Sequence, residues 1–150
     1  MRILISGVFD LFHYGHMLLI KKCRNLYPND TLIIGLHSNK ECENYKRLPI
    51  LNLEERTKSV KAFGHHDEII VCPLNETKEF YLTNKIDLTI HAHSLEDHDY
   101  YINNCYSDAH EMGIFKRLDY TSQISTSDII KRIEKRNIEE HMRKFLVNGY

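Results

Sequence analysis

The chain has 150 residues, the size of one compact domain, and 42% hydrophobic against 27% charged residues excludes disorder as the main state. Lys and Arg number 20 against 21 for Asp and Glu, so there is no strong field to hold a nucleic-acid backbone or an anionic membrane, and nucleic acid is not an expected partner. Four widely spaced cysteines without a CxxC pair, no stretch near the roughly 20 apolar residues of a membrane span, and an N-terminal apolar run too short for a signal-peptide core place the protein in the cytoplasm, with reduced thiols and no integral membrane association.

Apolar β-formers at Ile3 to Ile5, Leu32 to Leu36, Ile69 to Val71, Ile86 to Ile90 and Ile114 to Leu118 read as five strands. Between the first two, Met17, Ile20, Cys23 and Tyr27 recur at helical spacing, and that helix stops before Pro28. Leu53, Thr57, Val60 and Phe63 mark a second helix ending at Gly64, whereas Asn75 to Asn84 has no clear period. A polar run dense in histidine and acid, His91 to Asp99, follows the fourth strand. Beyond the fifth, Ser125-Thr126-Ser127-Asp128 is suited to cap a helix with Ile129, Ile130 and Ile133 on its apolar face, and a charged amphipathic segment runs from Asn137 towards Tyr150.

Strands alternating with helices predict an α/β fold: a single Rossmann-like domain with an open parallel five-stranded sheet and helices on both faces. Such sheets bind ligands beyond the carboxyl ends of their strands, which directs attention to Gly7–His16, His91–Asp99 and Tyr120–Ser127. In the first of these, His13 and His16 stand three apart at a helix entrance, so their imidazoles share one face. Free N–H groups and the helix dipole favour an anion there, and Gly7 and Gly15 allow close approach. Taken singly, His13 is a cap, Lys46 a surface charge, and Ser125 and Thr126 ordinary helix caps.

The run Gly7-Val8-Phe9-Asp10-Leu11-Phe12-His13-Tyr14-Gly15-His16 resembles the GxFDxxHxGH signature of the cytidylyltransferase family, whose members join CTP to a phosphorylated alcohol. Arg24 to Asn29, Asn44-Tyr45-Lys46, Glu55-Arg56, Asp67-Glu68 and Ile124 to Ile130 are similar, in order and spacing, to further blocks of its phosphocholine branch. The resemblance implies a CDP-alcohol product, released pyrophosphate and Mg²⁺ accompanying the nucleotide. It implies catalytic roles for His13, His16 and Lys46, and nucleotide binding by Gly7, Val8, Phe9, Asp10, Gly15, His91, Tyr120, Thr121, Ile124, Ser125 and Thr126. Lys46, Arg56 and Glu96 are the expected acceptor ligands, and a homodimer with partner contacts near Gly64 to Ile69 is implied as well.

The chain also departs from that pattern. Tyr120 replaces an arginine and Gln123 a glycine ahead of the late helix, Gly64 replaces a second arginine, and His91-Ala92-His93 stands where the branch has His-Asp-Asp. Leu74 and Glu96 occupy positions where choline-type members carry aromatics, and Tyr81, Tyr100 and Tyr101 are the nearby aromatics that could rebuild such a wall. The sequence therefore predicts that phosphoethanolamine or a polyol phosphate is a better acceptor than phosphocholine, since a quaternary ammonium favours aromatic faces. A member with weakened catalysis or altered specificity, including adenylyl transfer, is the alternative. His91, His93 and His98 beside Glu96, Asp97 and Asp99 have some look of a metal nest, but the spacing gives no firm fourth ligand and no metal site is assigned.

Overall fold

The computed structural model describes residues 1–120 and 123–148. Five strands, β1 (Arg2–Gly7), β2 (Thr31–Leu36), β3 (Glu68–Val71), β4 (Leu88–Ala92) and β5 (Phe115–Leu118), pair in the order β3-β2-β1-β4-β5. Every pairing is parallel. The chain starts in the centre of the sheet, winds outward to β3, and returns across β1 to lay down β4 and β5. The order therefore reverses between β1 and β4, the switch point where a crevice opens beyond the strand ends.

The helices are α1 (Tyr14–Leu26), α2 (Asn39–Tyr45), α3 (Leu53–Phe63), α4 (Lys78–Thr83), α5 (His98–Asn104), α6 (Ser107–Glu111) and α7 (Thr126–Asn148). Side chains alternate across a strand, so the nearly continuous apolar runs of β1 and β2 serve two cores. Ile3, Ile5, Leu32, Ile34 and Leu36 pack with Ile20 and Cys23 of α1 and Val60 of α3 on one face. Leu4 and Ile33 pack with Tyr81, Tyr106 and Ala109 on the other. Gly35 on β2 permits close packing: a Cβ there would lie 2.7 Å from the Cys72 sulfur and 3.0 Å from Leu4 Cδ1.

The expected strands are present, shifted by one or two residues, with β4 moved forward so that Ile86 packs ahead of it. The helix read at Leu53–Phe63 runs between those residues, capped by Asn52 and Glu55 and closed by Gly64 at φ 77°. Three short helices were not foreseen. At seven, seven and five residues, α2, α5 and α6 span two turns or fewer, too little for a helical period to show. The late helix and the charged segment after it form one 23-residue helix, α7, whose residues from Lys131 to Val147 are exposed. Among the described residues no helix is long and apolar enough to cross a membrane.

Candidate active site

Beyond Gly7 the chain turns sharply, with Phe9 and Leu11 at φ 53° and 47°, in the left-handed region that non-glycine residues rarely adopt. Buried Asp10 holds the turn. Its carboxylate accepts from the backbone N–H of Leu11 at 3.0 Å, Ile50 at 2.8 Å and Leu51 at 2.9 Å. Asp10 thus pins the loop at residues 46–52 against the turn and has little capacity left for a ligand.

His13 and His16 form a capping box at the start of α1. His13 Nδ1 accepts from the Gly15 N–H at 3.2 Å, and His16 Nδ1 accepts from the His13 N–H at 3.3 Å. The rings stack with centroids 3.9 Å apart. A nitrogen that accepts carries no proton, so in both neutral rings the proton sits on Nε2. Burial lowers the His13 pKa, and burial together with the neighbouring His13 holds His16 down to about 3. Near neutral pH the pair presents two N–H donors without charge. Gly15 makes room for this: a Cβ would lie 3.0 Å from the His13 ring and 3.2 Å from Ile124.

A cavity of about 350 Å³ opens at the switch point, within the size range of small-molecule sites. Gly7, Val8, Phe9, Asp10, His13, Gly15, His16, Lys46, His91, Tyr120, Ile124, Ser125 and Thr126 all line it, so the structure brings most of the expected residues together. Thr121 lies outside the described residues. The start of α7 faces the turn after Gly7, and the Thr126 hydroxyl donates to the Asp10 carbonyl at 2.8 Å. Ser125 Oγ accepts from the Asp128 N–H and donates to its carboxylate.

Two expected acceptor ligands are elsewhere. Arg56 is fully buried behind the wall, and its guanidinium donates to the carbonyls of Val8, His37 and Leu51 and to Asn39 Oδ1 at 2.7–3.1 Å. Its geometry is that of a brace between α3 and the turn after Gly7. Glu96 is exposed in the turn before α5 and does not line the cavity. Leu74 is not in the lining either. In their place Tyr45 and Tyr101 line the cavity, with the Tyr100 hydroxyl donating to that of Tyr45 at 3.2 Å. Lys22 and Arg47 join Lys46 as further cations. The adjacency of Tyr45, Lys46 and Arg47 in one run was the available signal for two of these; Tyr101 was one of three tyrosines near in sequence that the sequence alone does not place, and Lys22 carried no signal.

His91 Nδ1 lies 2.9 Å from His93 Nδ1, and His93 Nε2 lies 3.0 Å from His98 Nδ1, so the three rings hydrogen-bond one another in series. Burial first, then His93 and His37, holds His91 down to about 3. On the far side of the β1–β4 floor, buried Glu76 accepts from Tyr81 and Thr89, and burial raises its carboxyl to about 7.

These shifts set an acid dependence. His13, His16, His37, His91 and His93 all have folded-state values below the usual 6.5, so below that pH the unfolded chain binds more protons and stability falls. Glu76 acts in the opposite sense between its ordinary 4.5 and about 7, one group against five. At pH 5, His16 and His91 alone cost about 2 kcal/mol each, from 1.36 kcal/mol per unit. Urea unfolding should therefore show a net loss of about 2 kcal/mol or more between pH 7.5 and pH 5; equal or greater stability at pH 5 would contradict the burial of these rings as neutral groups.

A family model described as cytidylyltransferase-like matches residues 4–132. Choline-phosphate cytidylyltransferase A of Rattus norvegicus is 35% identical across 99% of this chain and 40% of its own length. Ethanolamine-phosphate cytidylyltransferase of Arabidopsis thaliana is 39% identical across 87% of this chain and 32% of its own length. The chain thus spans less than half the length of these relatives. Among solved structures, the lipopolysaccharide core biosynthesis protein from Thermoplasma volcanium GSS1 shares the fold, with a TM-score of 0.63 at 19% identity over 81% of this chain and 98% of that one.

Proposed function

The chain belongs to the cytidylyltransferase-like family, and from that premise we propose that it transfers a nucleotide, CMP from CTP in preference, to a phosphorylated amino alcohol. One observation carries this reading: the stacked His13–His16 pair and the start of α7 line the same cavity at the switch point of the sheet. Two helix N-termini at one cavity suit a triphosphate.

A phosphate oxygen of the acceptor attacks the α-phosphorus, the bond to the β-phosphate oxygen breaks, and pyrophosphate leaves. No covalent enzyme intermediate is needed. Charge accumulates on the phosphoryl oxygens, and the Nε2–H groups of His13 and His16 are the donors that meet it. Lys46 supplies a mobile positive charge for the acceptor phosphate or the α-phosphate. Backbone N–H groups of the first turn of α7 take the outer phosphates, while the Thr126 hydroxyl keeps that turn against Asp10.

Mg²⁺ fits as a passenger of the nucleotide. The Asp10 oxygens already accept three N–H bonds and Asp119 pairs with Arg117, so the cavity suits an ion held chiefly by phosphate oxygens and water. When bound it neutralises charge on the phosphates.

The acceptor reading shifts with the placement of the aromatics. Of Leu74, Ala92 and Glu96, on which the case against choline leaned, Ala92 lines the cavity and the other two are away from it, whereas the Tyr45 and Tyr101 side chains offer faces to an ammonium group. The relatives carry choline-phosphate and ethanolamine-phosphate in their names. With Mg²⁺ and each of the four nucleoside triphosphates, pyrophosphate release should be fastest with CTP. Phosphocholine and phosphoethanolamine should both exceed glycerol phosphate by about tenfold, the value of one cation–π contact. Preference for glycerol phosphate would contradict the aromatic reading. The protein works as a homodimer in this proposal, so light scattering should give about twice the 17.8 kDa chain mass; the chain mass itself at micromolar concentration would contradict it.

A further inference from the structure

The start of α7 is not, by its side chains, a strongly positive place. Ser125 Oγ is hydrogen-bonded to Asp128, the Thr126 hydroxyl is bonded to the Asp10 carbonyl, and Asp128 adds a carboxylate to the same turn. Tyr120 on the cavity wall has its phenol pKa raised by burial, so it carries no charge at neutral pH. Asp119, also in the wall, is paired with Arg117. A triphosphate brings about four negative charges, and the backbone N–H groups alone face Asp128 as they meet them.

One guanidinium reaches this place. Arg47 is half-buried in the cavity wall, and its Nη1 donates to Ser127 Oγ at 3.3 Å, across 80 residues of sequence. That is its one side-chain partner among the described residues, which leaves four of the five guanidinium N–H donors for a ligand. Its backbone is firmly held. Lys46 and Arg47 N–H both donate to the Cys42 carbonyl at the end of α2, and Ile50 and Leu51 are tied to the Asp10 carboxylate. Lys22 and Lys46, the other cationic side chains of the lining, are exposed and have no hydrogen bond to α7 among the described residues.

We propose that Arg47 is the cation that binds the β and γ phosphates of the nucleotide, exchanging Ser127 for phosphate oxygens and linking the loop at residues 46–52 to the start of α7 when the triphosphate is bound. The proposal rests on the reading of the cavity as a triphosphate site. It deepens that reading by assigning the outer phosphates to a residue that no block of the family signature contains. Arginine suits the task because its planar fork engages two oxygens at once, where lysine offers a point charge.

The test is titration calorimetry on the full chain with Mg²⁺, comparing CTP with CMP. Arg47→Gln, which retains a donor for Ser127 but no charge, should weaken CTP about thirtyfold and CMP less than about threefold, the worth of charge-assisted bonds to phosphate that CMP does not make. Arg47→Lys should recover part of the loss, and its remaining deficit should vanish with CMP. Unchanged CTP affinity in Arg47→Gln, or equal losses for CTP and CMP, overturns the assignment while leaving the site itself standing. A wild-type chain that binds no triphosphate removes the reading of the cavity and Arg47's role with it. Melting curves of the variants should match wild type, since a half-exposed guanidinium with one neutral partner adds little to stability.

Discussion

Replacing His13 or His16 by alanine is expected to lower kcat by about a hundredfold or more, the range found when one preorganised donor to transition-state charge is removed. The two rings are oriented by backbone N–H groups on Nδ1, stacked on each other, and kept neutral by burial, so their Nε2–H groups need no reorganisation as charge develops. His13 also caps α1, and loss of a cap costs about 1 kcal/mol without unfolding a domain. The two roles can be separated. Asn at position 13 places an acceptor where Nδ1 was and supplies no Nε2–H, so His13→Asn should keep wild-type stability and remain as slow as His13→Ala. Normal turnover in both alanine variants would remove the catalytic assignment, and full activity in His13→Asn would reduce His13 to a cap.

Arg56→Met should destabilise the fold by about 4 kcal/mol or more, because each buried polar group left without a partner costs about 1–3 kcal/mol: the Val8 and Leu51 carbonyls and the Asn39 amide oxygen lose theirs, and the His37 carbonyl keeps only the weak Cys42 thiol donor. The carbonyls belong to Val8 in the turn after β1, His37 after β2 and Leu51 before α3, so the loss would also release the strained turn at Phe9 and Leu11. Arg56→Lys should recover little, since one ammonium cannot reach three directions from a fixed fork. Urea unfolding monitored by circular dichroism reads the effect. A variant that folds with wild-type stability and shows only a raised KM for the acceptor would restore Arg56 to the ligand role expected from sequence.

Arg56 shows where sequence reading reaches its limit. Its place in a Glu-Arg block marked it as important, yet charge and position along a helix do not say whether a guanidinium points into the cavity or away from it. The strands were legible because Ile3–Ile5 and Leu32–Leu36 are apolar on both faces, and α3 because Asn52, Glu55 and Gly64 state both its ends. The turn after Gly7 was legible as part of the cavity because its histidines and glycines stand at a strand–helix junction within a longer ordered motif, although the same two histidines also form the capping box of α1. The opposite wall was not. Tyr101 sits on a short helix without a period of its own, and only the sheet order brings it beside residues some eighty positions earlier. Arg47 was hidden for a different reason: its partner Ser127 lies 80 residues away, and its neighbour Lys46 drew the functional reading.

The central claim is that this cavity joins a nucleotide to the phosphate of an acceptor. Phosphorus NMR of the protein with Mg²⁺, CTP and phosphocholine or phosphoethanolamine tests it most directly, because every phosphorus atom is followed at once. The account predicts that the triphosphate and phosphomonoester signals decline together while pyrophosphate and a paired diphosphate signal grow in equal amounts. Release of orthophosphate with the phosphomonoester signal unchanged would contradict transfer to the acceptor, and an unchanged spectrum alongside a CTP-induced rise in melting temperature would make the domain a nucleotide-binding module.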